Sequence, residues 1–104
     1  MSAAKTKALS IIDGNPVVVF SKSYCPYCRA TKTLLNEKLG SDKYFLMELD
    51  QVEDGAALQD ALEDITGQRS VPNVFIGKKH IGGNSDLQAK KGELDSLLQV
   101  AGAL

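Results

Sequence analysis

The chain has no tryptophan, a single histidine and only two cysteines among its 104 residues. Each scarcity excludes a class of protein. Two cysteines close at most one bridge, so this is no disulfide-stapled scaffold. Two thiols and His80 supply at most three soft metal ligands, one fewer than a closed structural zinc site takes. Lysine and arginine number 12 against 13 for aspartate and glutamate, and a net charge of −1 offers neither nucleic acid nor an anionic membrane a general attraction. No apolar run approaches the roughly 20 residues of a membrane-spanning helix. Residues 1–13 carry two lysines among scattered apolar side chains where a secretory segment would be continuously apolar. The expectation is a cytoplasmic protein in a reducing compartment, without nucleic-acid or membrane partners.

What is present suits a folded protein. Hydrophobic residues make up 43% and charged residues 24%, enough for one core. No linker, repeat or biased segment divides the chain, so residues 1–104 are expected to form a single domain.

Ala3 to Ile12 reads as a first helix with Ser2 as its N-cap, ended by the turn signals Asp13-Gly14-Asn15-Pro16. Val17 to Phe20 reads as a short buried strand. Past Pro26 the apolar residues Ala30, Leu34, Leu35 and Leu39 recur at helical spacing, with Gly40 as a stop. Tyr44 to Leu49 is a second strand, and Leu58, Ala61, Leu62 and Ile65 mark a helix stopped by Gly67. Strand, helix, strand, helix predicts parallel strands joined by right-handed crossovers, with helices on both sheet faces. Asn73–Ile76 and His80–Ile81 lie too close for a crossover and require an antiparallel hairpin. Gly77 at its first central position predicts a type II′ turn. Ser85, with Gln88 three residues on, has the spacing of a capping box opening a further helix. Leu94, Leu97, Leu98 and Ala101 mark the last helix. Phe20, Tyr44, Phe45, Leu46, Met47 and Phe75 are assigned to the core, and His80 to an exposed strand position without a role.

The chemistry concentrates in Cys25-Pro26-Tyr27-Cys28, at the junction of the first strand and the helix after it. Pro26 suits the first helical position, because its fixed φ matches the helix and its missing N–H would have had no partner. Cys25 then occupies the cap, where unpaired N–H groups and the helix dipole stabilise an anion. A thiolate is such an anion, and it is the nucleophilic form. Cys28 lies one turn in and less accessible. Cys25 is expected to attack and Cys28 to resolve.

The cysteine pair between strand and helix, the Val71-Pro72 step before the hairpin, and Gly82-Gly83 ahead of Ser85-Asp86 closely resemble a dithiol glutaredoxin. The resemblance spans roughly residues 15–100. It implies an α/β, thioredoxin-like fold, a four-stranded mixed sheet flanked by about five helices, with Pro72 in the cis form facing the cysteines. It implies a glutathione-dependent thiol–disulfide oxidoreductase acting on protein–glutathione mixed disulfides and on protein disulfides. Glutathione would be its co-substrate, with no tightly bound cofactor and no metal, in a monomer. The roles it implies are Lys22, Gln68 and Arg69 on the glycine carboxylate of glutathione and Val71 on the cysteinyl backbone beside cis-Pro72. Ser85 and Asp86 would hold the γ-glutamyl end, and Tyr27 would border the groove. Ser70 stands where threonine is usual in that family, and Gly77-Lys78 where Asn-Gly is more usual.

Two other readings rank lower. A thioredoxin served by a reductase would leave the glutathione contacts unexplained, and thioredoxins have Gly-Pro where this chain has Pro26-Tyr27. An iron–sulfur cluster shared by two copies through Cys25 and glutathione is chemically feasible. Pro26 stiffens the loop against it, and the paired thiols favour redox exchange.

Overall fold

In a computed structural model that describes residues 2–104, the chain builds a four-stranded sheet with helices on both faces. The elements are α1 (Ala3–Gly14), β1 (Val17–Ser21), α2 (Pro26–Leu39), β2 (Phe45–Glu48), α3 (Gly55–Thr66), β3 (Asn73–Ile76), β4 (Lys79–Gly82), α4 (Asn84–Ala89) and α5 (Leu94–Ala101). Single 3₁₀ turns follow β2 at Leu49–Gln51 and precede α5 at Lys91–Glu93. The strand order is β2-β1-β3-β4. β1 and β2 are parallel, joined through α2, and place Ser21 opposite Glu48. β3 runs antiparallel to both β1 and β4, which makes the sheet mixed.

β1 is buried at every position. Successive strand side chains point to opposite faces, and the packing follows that alternation. Val17 and Val19 pack with Leu34, Leu35, Leu87, Leu94 and Leu98 from α2, α4 and α5. Val18 and Phe20 pack with Ala8, Ile12, Leu58 and Leu62 from α1 and α3. Phe20 meets Phe75 edge to face, with ring centroids 6.1 Å apart at 89°, a geometry worth ~0.5–1.5 kcal/mol beyond area burial. β2 is an edge strand, so of the residues assigned to the core there, Leu46 faces solvent and Tyr44, Phe45 and Met47 are only partly covered.

Ser2 caps α1, its Oγ accepting the Lys5 N–H at 3.0 Å. Three local expectations are corrected. The β3–β4 turn has positive φ at both central residues, +60° at Gly77 and +69° at Lys78, which is type I′ and not II′. The I′ twist matches that of the paired strands and outweighs the cost of a left-handed lysine. Ser85 is not the cap of α4. The cap is Gly83, whose N–H is bound by Asp86 Oδ2 at 2.9 Å, and Ser85 is the second helical residue. β2 is also shorter than Tyr44–Leu49, because the chain turns into a 3₁₀ coil at Leu49.

That coil closes tightly on α3. A Cβ on Gly55 would lie 1.8 Å from the Leu49 carbonyl oxygen, a backbone atom with no freedom to move aside. Gly14, at the end of α1, has open space around the same position. Gly55→Ala is therefore expected to cost about 1–3 kcal/mol or more, as overpacking does. Gly14→Ala should be neutral or stabilising by a few tenths of a kcal/mol, from helix propensity. Thermal unfolding of the two variants checks this, and equal melting temperatures would contradict it.

Candidate active site

The buried β1 delivers the chain to the rim of the sheet at Ser21, and Lys22–Tyr24 then turn it into α2. The turn closes with the Cys25 N–H donating to the Lys22 carbonyl at 3.1 Å. Cys25 has extended backbone angles and is the N-cap of α2, with Pro26 at the first helical position. Its Sγ accepts the Cys28 N–H at 3.4 Å. Cys25 is half-buried, Cys28 is fully buried, and both are free thiols. Burial pushes the Cys28 thiol up, and Cys25 beside it adds to the effect; hydrogen bonds from the Ser21 hydroxyl and the Lys22 backbone oppose it without cancelling it. Cys28 therefore rests as a protonated thiol behind a more accessible sulfur at the helix end.

A clamp holds the approach to Cys25. The Ser23 N–H donates to Asp50 Oδ1 at 2.9 Å, the Ser23 hydroxyl donates to Asp50 Oδ2, and the Gln51 amide donates to the same oxygen at 3.2 Å. These bonds, those from Ser23 foremost, hold the Asp50 carboxyl down at about 2. Nothing in the sequence marks this pair. A serine before a cysteine motif and an aspartate after a strand are common, and only the parallel pairing of β1 with β2 brings them together across 27 positions.

Facing Cys25 is the Val71–Pro72 peptide, in the cis form. The Cys25 Sγ lies 3.8 Å from the Val71 carbonyl oxygen. From there a groove of about 430 Å³ runs between Tyr27 on α2, the segment Gln68–Pro72, and the start of α4, lined there by Gly83, Asn84, Ser85 and Asp86. Tyr27 is exposed at its edge. The Gln68 amide donates to the carbonyls of Ser70 and Pro72, each at 3.1 Å. Two carbonyl acceptors use both amide hydrogens, so Gln68 braces the wall of the groove. Behind it the fully buried Asn73 donates to the Gln68 carbonyl at 3.4 Å and pairs with His80 Nε2 at 2.8 Å. His80 thus has a structural partner that the sequence did not suggest, and burial against Phe75 lowers its pKa, partly offset by Asp86. At the far end Gly82 has φ +120°, and a Cβ there would come within 2.3 Å of Asp86 Oδ2. Glycine is needed for that carboxylate to reach back to the Gly83 N–H.

Of the residues singled out in the sequence, Tyr27, Gln68, Val71, Pro72, Ser85 and Asp86 line this one groove, and Cys25 opens onto it beside Val71. Two lie elsewhere. Arg69 turns to α3 and pairs with Asp60 and with Glu63, the latter at 3.5 Å; two carboxylates one helical turn apart draw the guanidinium from the groove. Lys22 contributes its carbonyl to the Cys25 turn, and its ammonium joins no ion pair among the described residues. Lys32, one turn beyond Cys28, is paired with Glu48 on β2 at 2.8 Å and ties α2 to the sheet.

A protein-family model described as Glutaredoxin matches residues 17–81. A glutaredoxin of Ricinus communis is 53% identical over 103 residues, covering 97% of this chain and 99% of that one. Among solved structures, oxidized glutaredoxin 2 from Chlamydomonas reinhardtii superimposes with a TM-score of 0.91 at 48% identity, covering 97% of this chain and 95% of the other. A buckwheat glutaredoxin–glutathione complex gives 0.88 at 50% identity, covering 97% and 92%.

The Asp50 clamp has a pH signature. A carboxyl depressed to about 2 in the fold and near 3.9 when unfolded adds stability above the higher value. That contribution is lost as pH falls from about 4 toward 2. Asp50→Asn should remove the contribution, so its urea-unfolding stability should fall less steeply than that of the parent over that window. Parallel pH profiles would contradict the clamp.

Proposed function

The chain belongs to the glutaredoxin family and is a glutathione-dependent thiol–disulfide oxidoreductase; from that premise we propose that Cys25 is its attacking thiolate, Cys28 its resolving thiol, and the groove beside cis-Pro72 the seat of glutathione. The observation that carries the reading is the 3.8 Å approach of Cys25 Sγ to the Val71 carbonyl at the mouth of the groove. A peptide laid along Val71, as a strand pairs with a sheet edge, brings its cysteinyl sulfur against Cys25. Asp86 keeps one carboxylate oxygen beyond the one that binds Gly83, and it suits the α-ammonium of a γ-glutamyl unit. Gln68 acts by shaping the wall, and Lys22, whose ammonium joins no ion pair among the described residues, remains the basic residue for the glycine carboxylate. Arg69, paired on α3, has that role only if it leaves Asp60.

On a protein–glutathione mixed disulfide the Cys25 thiolate attacks the glutathionyl sulfur. A Cys25–glutathione disulfide forms, the protein–glutathione bond breaks, and the protein leaves as a thiolate that takes a proton from solvent. The thiolate of a second glutathione attacks the glutathione sulfur held on Cys25, forming oxidised glutathione and returning the Cys25 thiolate. Cys28 takes no part. On a protein disulfide, the Cys25 thiolate attacks one sulfur, and the substrate S–S bond breaks with its other sulfur leaving as a thiolate that takes a proton from solvent. Cys28 then attacks the Cys25 sulfur of the mixed disulfide, which releases the substrate's remaining sulfur. The Cys28 proton is balanced by protonation of that leaving substrate thiolate, and the oxidised Cys25–Cys28 pair is then reduced by two glutathione molecules.

The burial that keeps Cys28 protonated fits this division, because a resolving thiol that ionised early would compete with glutathione for Cys25. In a glutathione-coupled assay on a glutathionylated peptide, Cys25→Ser should abolish turnover and Cys28→Ser should keep much of it. On a protein disulfide both variants should fail to turn over. A Cys28→Ser enzyme dead on the glutathionylated peptide would reverse the assigned roles.

A further inference from the structure

His80, the only histidine of the chain, stands on the edge strand β4, open to solvent and outside the groove. Its register partner on β3 is Phe75, and the two rings lie with centroids 5.2 Å apart. Phe75 and Asn73 are two positions apart on β3, so they project from one face of the sheet. The diagonal from His80 to Asn73 is within reach of a long side chain, and His80 Nε2 lies 2.8 Å from Asn73 Oδ1. Asn73 is fully buried and directly follows cis-Pro72.

The second contact of Asn73 assigns the direction of the first. Its Nδ2 group donates to the Gln68 carbonyl at 3.4 Å, which leaves Oδ1 as the acceptor and puts the histidine proton on Nε2. An amide that accepts at one end and donates at the other strengthens both bonds. The Gln68 side chain then donates to the carbonyls of Ser70 and Pro72, each at 3.1 Å. The carbonyls on either side of Val71 are thereby taken by the protein, while the Val71 carbonyl between them stays turned to Cys25. Without the His80 donor, Asn73 Oδ1 would be a buried acceptor lacking a partner, and the amide would turn to find one. Turning would release Gln68.

We infer that His80 is a positioning residue of this enzyme: its Nε2–H fixes the Asn73 amide, Asn73 holds the Gln68 carbonyl, and the Gln68–Pro72 wall is kept where a ligand can pair with Val71. The inference rests on the reading of this groove as the glutathione seat. It gives a residue on the edge of the sheet an effect on substrate affinity without any contact to substrate. The relay is complete before substrate arrives, so its loss is felt in binding and not in the reactivity of Cys25.

One measurement needs no variant. In uniformly labelled, untagged protein the His80 ring is the only imidazole of a long-range ¹H–¹⁵N spectrum. At about pH 8, above the ordinary histidine range, it should appear as the Nε2–H tautomer. The Nδ1–H tautomer would overturn the relay. The second measurement uses two substrates on the whole protein: a peptide carrying a glutathionyl disulfide, and the same peptide in disulfide with 2-mercaptoethanol, which has no backbone to lay along Val71. Release of peptide thiol from the reduced enzyme in a single turnover, followed against substrate concentration, separates affinity from maximal rate. His80→Leu should weaken apparent affinity for the glutathionyl peptide about threefold to tenfold at a nearly unchanged maximal rate, the loss expected for one hydrogen bond. Its affinity for the mercaptoethanol peptide should stay within about twofold of the parent's. His80→Gln, whose amide nitrogen occupies the place of Nε2, should bring glutathionyl affinity back to within about twofold of the parent. Parent-like affinity in the leucine variant, a loss that glutamine does not repair, or a loss falling equally on both peptides would overturn the role of His80 and leave the glutathione reading standing. A parent enzyme that handles the two peptides alike would overturn that reading and this inference with it.

Discussion

Strand β1 is packed from both sides along its whole length, and the position of every reactive group follows from that. Val17 and Val19 lock it to one layer of helices, Val18 and Phe20 to the other. A slip of one residue would exchange the two sets and leave each layer facing the wrong side chains. The point where the chain leaves the sheet is therefore held with the precision of the core. Cys25, four residues past the end of the strand, inherits that precision through the closed turn at Lys22 and the anchoring of Ser23 by Asp50. A sulfur on a free loop would have no such reference frame.

The groove is assembled from three parts of the chain that meet only in space. α2 brings the thiols and Tyr27, the segment before β3 brings Val71 and Pro72, and the start of α4 brings Asn84, Ser85 and Asp86. Each junction is held by a polar side chain bonded inward: Gln68 to the carbonyls of Ser70 and Pro72, Asp86 to the Gly83 N–H, and Thr31 to Asn84. Such groups are costly to bury unpaired and are useful once paired, because the bond is directional where apolar packing is not. The site is thus shaped by side chains whose partners are protein atoms, which leaves fewer groups for the ligand to order on binding.

Burial also divides the two cysteines. They share one motif and one helix, yet Cys25 at the cap is partly exposed with an N–H aimed at its sulfur. Cys28 is sealed in the core with its thiol pushed toward the protonated form. The difference comes from three residues of helix: one turn carries the second sulfur from the rim to the interior.

The sequence by itself determined the elements that rest on local rules: the strand at Val17, the cap at Ser2, proline at the head of α2, the hairpin after β3, and the cysteine motif at a helix start. These depend on periodicity, fixed φ and turn chemistry, which operate over a few residues. The cis-proline loop, and its sharing of one groove with Ser85 and Asp86, were legible through a resemblance to a family rather than through any local rule. Only the tertiary structure decided that Arg69 is spent on α3, that Gln68 braces a wall, that His80 has a buried partner, and that Asp50 grips Ser23. It also decided that Gly83 and not Ser85 caps α4, because the Asp86 carboxylate needs the space left by Gly82 to turn back on the chain. A polar side chain chooses among partners by their position in three dimensions, and the sequence records which groups exist but not which of them come within 3 Å.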